Sequence, residues 1–372
     1  MKKICIITSA RSEYGLLKRI MLEIKNDPDL MLQLIVAGGH LSPEQGLTYK
    51  LIEDDGFHID FKVEFLLSTE KSVGVAKSAG VCAISISDAF EQLQPDVILV
   101  LGDRYELMPI CTSAMIMNIP IAHISGGDIT EGAIDNYVRN AVTMMSAIHF
   151  PGPESSAENV IRMIGTSHNV FVVGEPGLEN LKETQLLSRE VLAEDLDLDI
   201  NKRWVLSTLH SETMESLEQS LLMAHKMVET LLLLPNTEII LTYANADLGG
   251  STMNLYYEDV GLQFTNVHVH KSLGQLRYNS MMKECWCVVG NSSSGIVEAP
   301  FIGKPVINIG NRQKGRYMSH NIINVPFYAN DEIEIALKQV DSLLTSPDYY
   351  WGDGNTSKKI LYHLKSFLYG KQ

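Results

Sequence analysis

The chain has 372 residues, enough for two domains that each bury a full core. Its formal net charge is −15, which argues against a duplex nucleic-acid partner. A small anion remains open to it, because a few arginines and backbone N–H groups can hold one locally. Apolar residues make up 45% and charged residues 20%, values that exclude a disordered chain.

The N-terminal apolar run stops at Thr8 and meets Arg11 and Glu13, too soon for a signal peptide. It reads as a first strand, Lys3–Thr8, followed by a helix with apolar residues at helical spacing over Leu16–Ile24. Further strands are expected at Leu32–Val36, Val97–Leu101, Ile119–Ile124, Ala147–Phe150 and Val170–Val173, with a helix around Met108–Met117. A Gly-Glu-Pro-Gly turn signal and an acidic stretch mark residues 176–202 as a linker region between domains 1–175 and 203–355. In the second domain, strands are expected at Trp204–Thr208, Glu238–Thr242, Val267–Val269, Cys287–Val289 and Val306–Ile309. Helices are expected over Met214–Leu234, Gly295–Phe301 and Glu332–Leu344, and residues 356–372 form a closing C-terminal helix. Continuous apolar strands alternating with helices predict an α/β chain of two Rossmann-like domains, each a parallel sheet covered on both faces. Ligands of such sheets bind outside the carboxyl ends of the strands, so the two domains are expected to face each other across a cleft. No stretch approaches about 18 uninterrupted apolar residues, so no membrane association and a cytoplasmic location are expected.

Five polar clusters follow the strands. Thr8–Gly15 offers Arg11 as a phosphate ligand at a helix N-terminus; equally, Ser12 and Glu13 suit a simple helix cap. Gly102–Glu106 places Asp103 and Arg104 at the end of an apolar strand, where an unpaired carboxylate is costly. His123–Gly132 continues to Asp135 and Arg139, and brings Asp128 and Glu131 close in sequence. Asp103, Asp128 and Asp135 are expected to cluster, and like charges held together raise the pKa of at least one. His210-Ser211-Glu212 follows the first strand of the second domain. Gly290–Pro300 gathers Ser292, Ser293, Ser294 and Gly295 at a strand-to-helix turn, a phosphate cradle, with Glu298 able to accept from ribose hydroxyls. Arg312 follows the next strand, and His270 ends another where a base or phosphate contact is possible. No GxGxxG loop is present, so no nicotinamide cofactor is expected, and no histidine or cysteine spacing suggests a metal. The five cysteines sit mostly in apolar stretches and read as buried thiols.

Together these motifs resemble the hydrolysing UDP-N-acetylglucosamine 2-epimerase family over nearly the whole chain. The marks are Arg11-Ser12-Glu13-Tyr14-Gly15, Gly102–Glu106, Gly126-Gly127-Asp128 to Asp135, Gly290–Glu298 and Asn308–Arg316. The resemblance implies a glycosyltransferase-B-like fold, a homodimer or a dimer of dimers, a UDP-linked amino sugar as substrate, and no cofactor. It matches Arg11, His210, Ser292, Ser293, Glu298 and Arg312 to nucleotide and diphosphate contacts, and Asp103, Asp128 and Asp135 to sugar binding or proton transfer. Some relatives carry a glutamate where this chain has Ser125, which leaves Asp128, Asp135 or Glu131 as candidates for that catalytic carboxyl here. The implied reaction eliminates UDP across C1–C2 and hydrates the resulting glucal, giving N-acetylmannosamine. A UDP- or GDP-linked N,N′-diacetylbacillosamine 2-epimerase and a glycosyltransferase of the same fold are the alternatives.

Overall fold

A computed structural model describes residues 1–67, 71–129, 134–211, 217–244, 249–326 and 330–370. The chain divides into two compact units, one of residues 1–180 and 352–372, the other of residues 181–351. Residues 176–202, the expected linker region, carry two helices, Pro176–Glu183 and Arg189–Leu196. The C-terminal helix, Thr356–Tyr369, belongs to the first unit, where Ile360 and Leu364 enter its core.

The first unit has six parallel strands: β1 (Lys2–Thr8), β2 (Leu30–Ala37), β3 (Phe61–Val63), β4 (Val97–Leu101), β5 (Ile121–Ile124) and β6 (Ile148–Phe150). Their order across the sheet is β3-β2-β1-β4-β5-β6. Side chains alternate between the two faces of a strand, and both faces are covered. Ile4 and Ile6 of β1 pack with Leu17, Ile20, Met21 and Ile24 of the helix Arg11–Asn26. Cys5 and Ile7 pack on the opposite face with Cys82, Ile86 and Phe90 of the helix Ser72–Leu93 and with Ile110 and Cys111. The helix Ser72–Leu93 has 22 residues and a mean hydropathy of 1.3 in its most apolar window, enough by length and composition for a membrane span. Its stripe Ser78, Cys82, Ile86, Ala89, Phe90 and Leu93 is buried, which is the helical spacing of a sheet-covering helix.

The second unit repeats the plan with β7 (Arg203–Thr208), β8 (Thr237–Thr242), β9 (Val267–His270), β10 (Cys287–Gly290), β11 (Val306–Ile309) and β12 (Ile322–Val325). The order is β12-β11-β10-β7-β8-β9, the same winding as the first sheet. Val205, Leu241, Val289 and Ile307 pack with Met223, Met227 and Leu231 of the helix Leu217–Leu232. Trp204, Leu206, Ile240 and Val288 face Leu192, Met281 and Met282 on the other side. All five cysteines are buried thiols.

Several expectations are corrected. The short edge strands β3 and β12 escape a reading by apolar runs, because only three or four residues carry them. Residues 170–173 form no regular strand. They make one isolated parallel bridge, His149 with Val170, while Phe171 N–H donates to the His149 carbonyl at 3.0 Å and Val173 N–H to that of Pro151 at 3.1 Å. The chain therefore runs beside β6 toward the carboxyl end of the sheet. The helix expected over Gly295–Phe301 is a 3₁₀ turn, Ser293–Gly295, followed by one short turn of helix, Glu298–Phe301.

Candidate functional site

In a doubly wound sheet the ligand crevice opens where the strand order reverses. The reversals lie between β1 and β4 in the first unit and between β7 and β10 in the second. Arg11, Asp103 and Arg104 follow β1 and β4; His210 and Ser292–Ser294 follow β7 and β10. Each unit thus carries predicted site residues at its own switch point.

In the first unit, Arg11 is exposed as the first residue of the helix Arg11–Asn26. Ser12 does not cap that helix. Glu13 reaches back instead, its Oε2 accepting from the backbone N–H of Ser9 at 2.8 Å and of Ala10 at 3.1 Å. Asp103 forms an ion pair with the buried Arg139. Arg139 Nη1 also donates to the Asp128 carbonyl at 2.8 Å, so one guanidinium ties the turn after β4 to the turn after β5. The Asp128 carboxylate accepts from the Ile129 N–H at 3.0 Å. Of the three carboxylates expected to cluster, Asp103 thus meets this arginine with its side chain and Asp128 with its backbone carbonyl. Asp135 lies in the first turn of the helix Ile134–Met145. Glu131 and Glu212 fall outside the described residues. Ser125, with a left-handed φ of 58°, donates from its hydroxyl to Glu175 Oε2 at 3.0 Å.

Among the described carboxyls of this unit, Glu13 is raised. Burial pushes it up and the Glu106 charge adds to that, against the bonds from Ser9 and the charge of Arg104. Ser9 Oγ lies 2.8 Å from Glu13 Oε2 and 2.5 Å from Glu106 Oε1. A hydroxyl has one hydrogen, so both contacts are hydrogen bonds only when one of the carboxyls carries a proton. Arg104 Nε donates to the same Glu106 oxygen at 2.6 Å. A raised folded-state pKa means that folding binds the proton, so stability falls as pH climbs above the ordinary glutamate range of about 4.3. Glu13→Gln mimics the protonated form. Urea unfolding between pH 5 and pH 8 should show a flatter decline for the variant than for the parent; equal slopes would remove Glu13 from this linkage.

In the second unit, Asn291 is the hub. Its Oδ1 accepts from the His210 N–H at 2.7 Å and its Nδ2 donates to the His210 carbonyl at 2.9 Å. Its own carbonyl accepts from Gln313 Nε2 at 2.9 Å and from Arg312 Nη1 at 3.3 Å. The fully buried Asn291 thereby registers the loops after β7, β10 and β11, its side chain holding the first and its backbone carbonyl the last. Gly290 permits this close approach: at φ 144° a Cβ would meet the Thr208 carbonyl oxygen at 2.1 Å. Burial, with Arg312 nearby, lowers the His210 imidazole to about 4, so it is neutral at physiological pH and offers an N–H donor instead of a charge. A chain of hydroxyls, Thr242–Thr208–Tyr278–Ser294–Ser292, runs through contacts of 2.6, 3.2, 2.7 and 3.0 Å. The N–H groups of Gly295, Ile296 and Val297 bond back to the Ser292 and Ser293 carbonyls. The serine turn therefore presents hydroxyls, with Ser293 exposed, and does not present a row of free helix N–H groups. Glu298 is half-buried at the start of the short helix; burial raises its carboxyl and Arg316 opposes the rise. His270 ends β9 with a buried Nε2 that makes no hydrogen bond among the described residues. No group of three or more metal-type ligands occurs among the described residues.

The family model described as UDP-N-acetylglucosamine 2-epimerase matches residues 22–365. The chain belongs to that family. It is an enzyme, a hydrolysing nucleotide-sugar 2-epimerase. It is 38% identical over 330 residues to a GDP/UDP-N,N′-diacetylbacillosamine 2-epimerase (hydrolyzing) of Campylobacter jejuni, across 87% of this chain and 84% of that protein. It is 30% identical over 370 residues to a UDP-N,N′-diacetylbacillosamine 2-epimerase (hydrolyzing) of Legionella pneumophila, across 98% and 96%. A crystal structure of the UDP-GlcNAc 2-epimerase of Neisseria meningitidis, bound to UDP-GlcNAc, matches the fold with a TM-score of 0.82 at 18% identity, covering 98% of this chain and all of that one. The epimerase thus has the two-Rossmann, glycosyltransferase-B-type fold, and its family membership sets aside the glycosyltransferase reading.

Sequence reasoning singled out His210, Asp103 and the serine turn but gave no role to Asn291, Arg139, Glu106 or Glu175. An asparagine directly after a strand-ending glycine was the available signal for Asn291. For Glu175 there was none beyond a turn motif.

Proposed function

We propose that this epimerase acts on N,N′-diacetylbacillosamine linked to UDP or GDP, releasing the nucleoside diphosphate and the free C2-epimeric sugar. The observation that carries the reading is the 38% identity to the Campylobacter jejuni enzyme, above the 29% shared over 349 residues with the UDP-N-acetylglucosamine 2-epimerase of Neisseria meningitidis serogroup B. It favours the diacetylated sugar over the UDP-N-acetylglucosamine expected at first. A cavity of about 960 Å3 in the first unit supports it. The cavity lies past the ends of β2 and β3, and Leu41, Phe65, Leu67, Val75, Ser78 and Tyr105 are among its lining residues. Mixed apolar and polar walls suit a sugar that carries a second acetamido group and a methyl group.

The C2 proton becomes acidic only as the C1–O bond breaks, so elimination needs a carboxyl near C2 and stabilisation of the departing diphosphate. Asp103, held by Arg139, suits the first task. Arg11, Arg312, the neutral His210 and the Ser292–Ser294 hydroxyls suit the second. NMR of the protein with the UDP- and GDP-linked diacetylated sugars and with UDP-N-acetylglucosamine tests the reading. Fastest release of free sugar from a diacetylated substrate is expected, with deuterium at C2 when the solvent is D2O. Faster turnover of UDP-N-acetylglucosamine would overturn the substrate, and an unlabelled C2 would overturn the elimination.

A further inference from the structure

A carboxylate from a distant part of the chain occupies the end of β5. Ser125 Oγ donates to Glu175 Oε2 at 3.0 Å across 50 residues of sequence. Two features hold this group in place. Residues 170–174 run beside β6, and the last of their bonds, Gly174 N–H to the Gly152 carbonyl at 3.1 Å, sets Glu175 at the carboxyl end of the sheet. Gly152 then makes room, since a Cβ there would fall 1.9 Å from Glu175 Oε1. Ser125 meanwhile adopts φ 58°, a left-handed conformation that costs a non-glycine residue energy and clusters at functional positions.

Ser125 and Asp103 belong to one rim. The strands β4 and β5 are paired neighbours, Leu101 opposite Ile124, and the Gly102 N–H donates to the Ile124 carbonyl at 3.0 Å. Neighbouring strands lie about 4.8 Å apart, so the turns that carry the two carboxyl sites start side by side. Their partners differ: Asp103 meets a buried guanidinium, Glu175 a hydroxyl. Different partners are how two carboxyls at one site take on different proton roles.

We propose that Glu175 is a proton-transfer carboxyl of the sugar chemistry, with Ser125 and Gly152 as its positioning residues. This rests on the hydrolysing 2-epimerase reading above. The reaction needs two such transfers. In elimination a base takes the C2 proton, the C–H pair becomes the C1–C2 π bond, and the C1–O pair leaves on the diphosphate. In hydration a proton returns to C2 while water bonds C1 and gives its own proton to a base. Asp103 and Glu175 divide this traffic, which answers the absence of a carboxylate at position 125 itself.

The test is Glu175→Gln in the full chain, assayed for nucleoside diphosphate and free sugar across pH. A fall in kcat of about 10²- to 10⁴-fold is expected, with KM little changed and one limb of the pH profile lost. Formate added to Glu175→Ala, or the carboxylate moved in Ser125→Glu/Glu175→Gln, should recover at least about tenfold of the loss. Wild-type kcat and an unchanged pH profile in Glu175→Gln would overturn the proposal. So would a loss that neither formate nor the relocated carboxylate repairs, since that is the signature of a structural role. Failure of the unmodified protein to turn over any of the three nucleotide sugars would overturn the functional reading, and this inference with it.

Discussion

Asp103→Asn is expected to lower kcat for nucleoside diphosphate release by about 10²- to 10⁴-fold while leaving UDP affinity within about twofold. Asparagine preserves the size of the side chain and its oxygen can still accept from Arg139, so the bridge from Asp103 through Arg139 to the Asp128 carbonyl survives. Only the charge and the proton are lost. Most groups proposed to hold UDP lie in the other unit, after β7, β10 and β11, and the one in this unit, Arg11, follows β1, so Asp103 is not itself among the proposed nucleotide contacts. Calorimetric titration with UDP and a coupled assay of its release separate the two quantities. Full turnover in the variant would remove Asp103 from the chemistry.

Asn291→Ala is expected to destabilise the second unit by about 2–6 kcal/mol, because it removes the side-chain partner of the buried N–H and carbonyl of His210 at about 1–3 kcal/mol each. Those two bonds, at 2.7 and 2.9 Å, are the ones that register the loop after β7 against the loop after β10. The same substitution should weaken UDP binding by more than about tenfold, since the His210 loop loses its tie to the loop that carries the serine turn, although the Asn291 backbone carbonyl still accepts from Gln313 and Arg312. Urea unfolding and UDP titration check the two effects. Wild-type stability in the variant would show that the loops hold their register without Asn291.

These two cases mark what was open to reading and what was not. Asp103 was legible because a carboxylate two residues past Val97–Leu101, five buried apolar residues, has to be paired or functional. Asn291 was visible only as one polar residue in a polar turn. Its weight comes from two backbone groups 81 positions away, and no local pattern carries that distance. The serine turn was read correctly as polar and strand-terminal but wrongly as the start of a longer helix. Tyr278 and Ser292 tie down the Ser294 hydroxyl, the turn tightens to 3₁₀, and the left-handed Gly303 ends the helix soon after Phe301.

By itself the sequence determined the class of the molecule. Parallel strands covered on both faces must be continuous apolar runs, and ligands of such sheets gather where polar residues interrupt them, so two wound sheets and the positions of most of the polar clusters follow from one-dimensional pattern. Tertiary structure alone decided the partners. Arg139 on Asp103, Ser9 between Glu13 and Glu106, and Glu175 on Ser125 join residues 36, 97 and 50 positions apart. A charged group's chemistry depends on what lies within a few ångströms, and chain separation carries no record of that distance until the strands have paired.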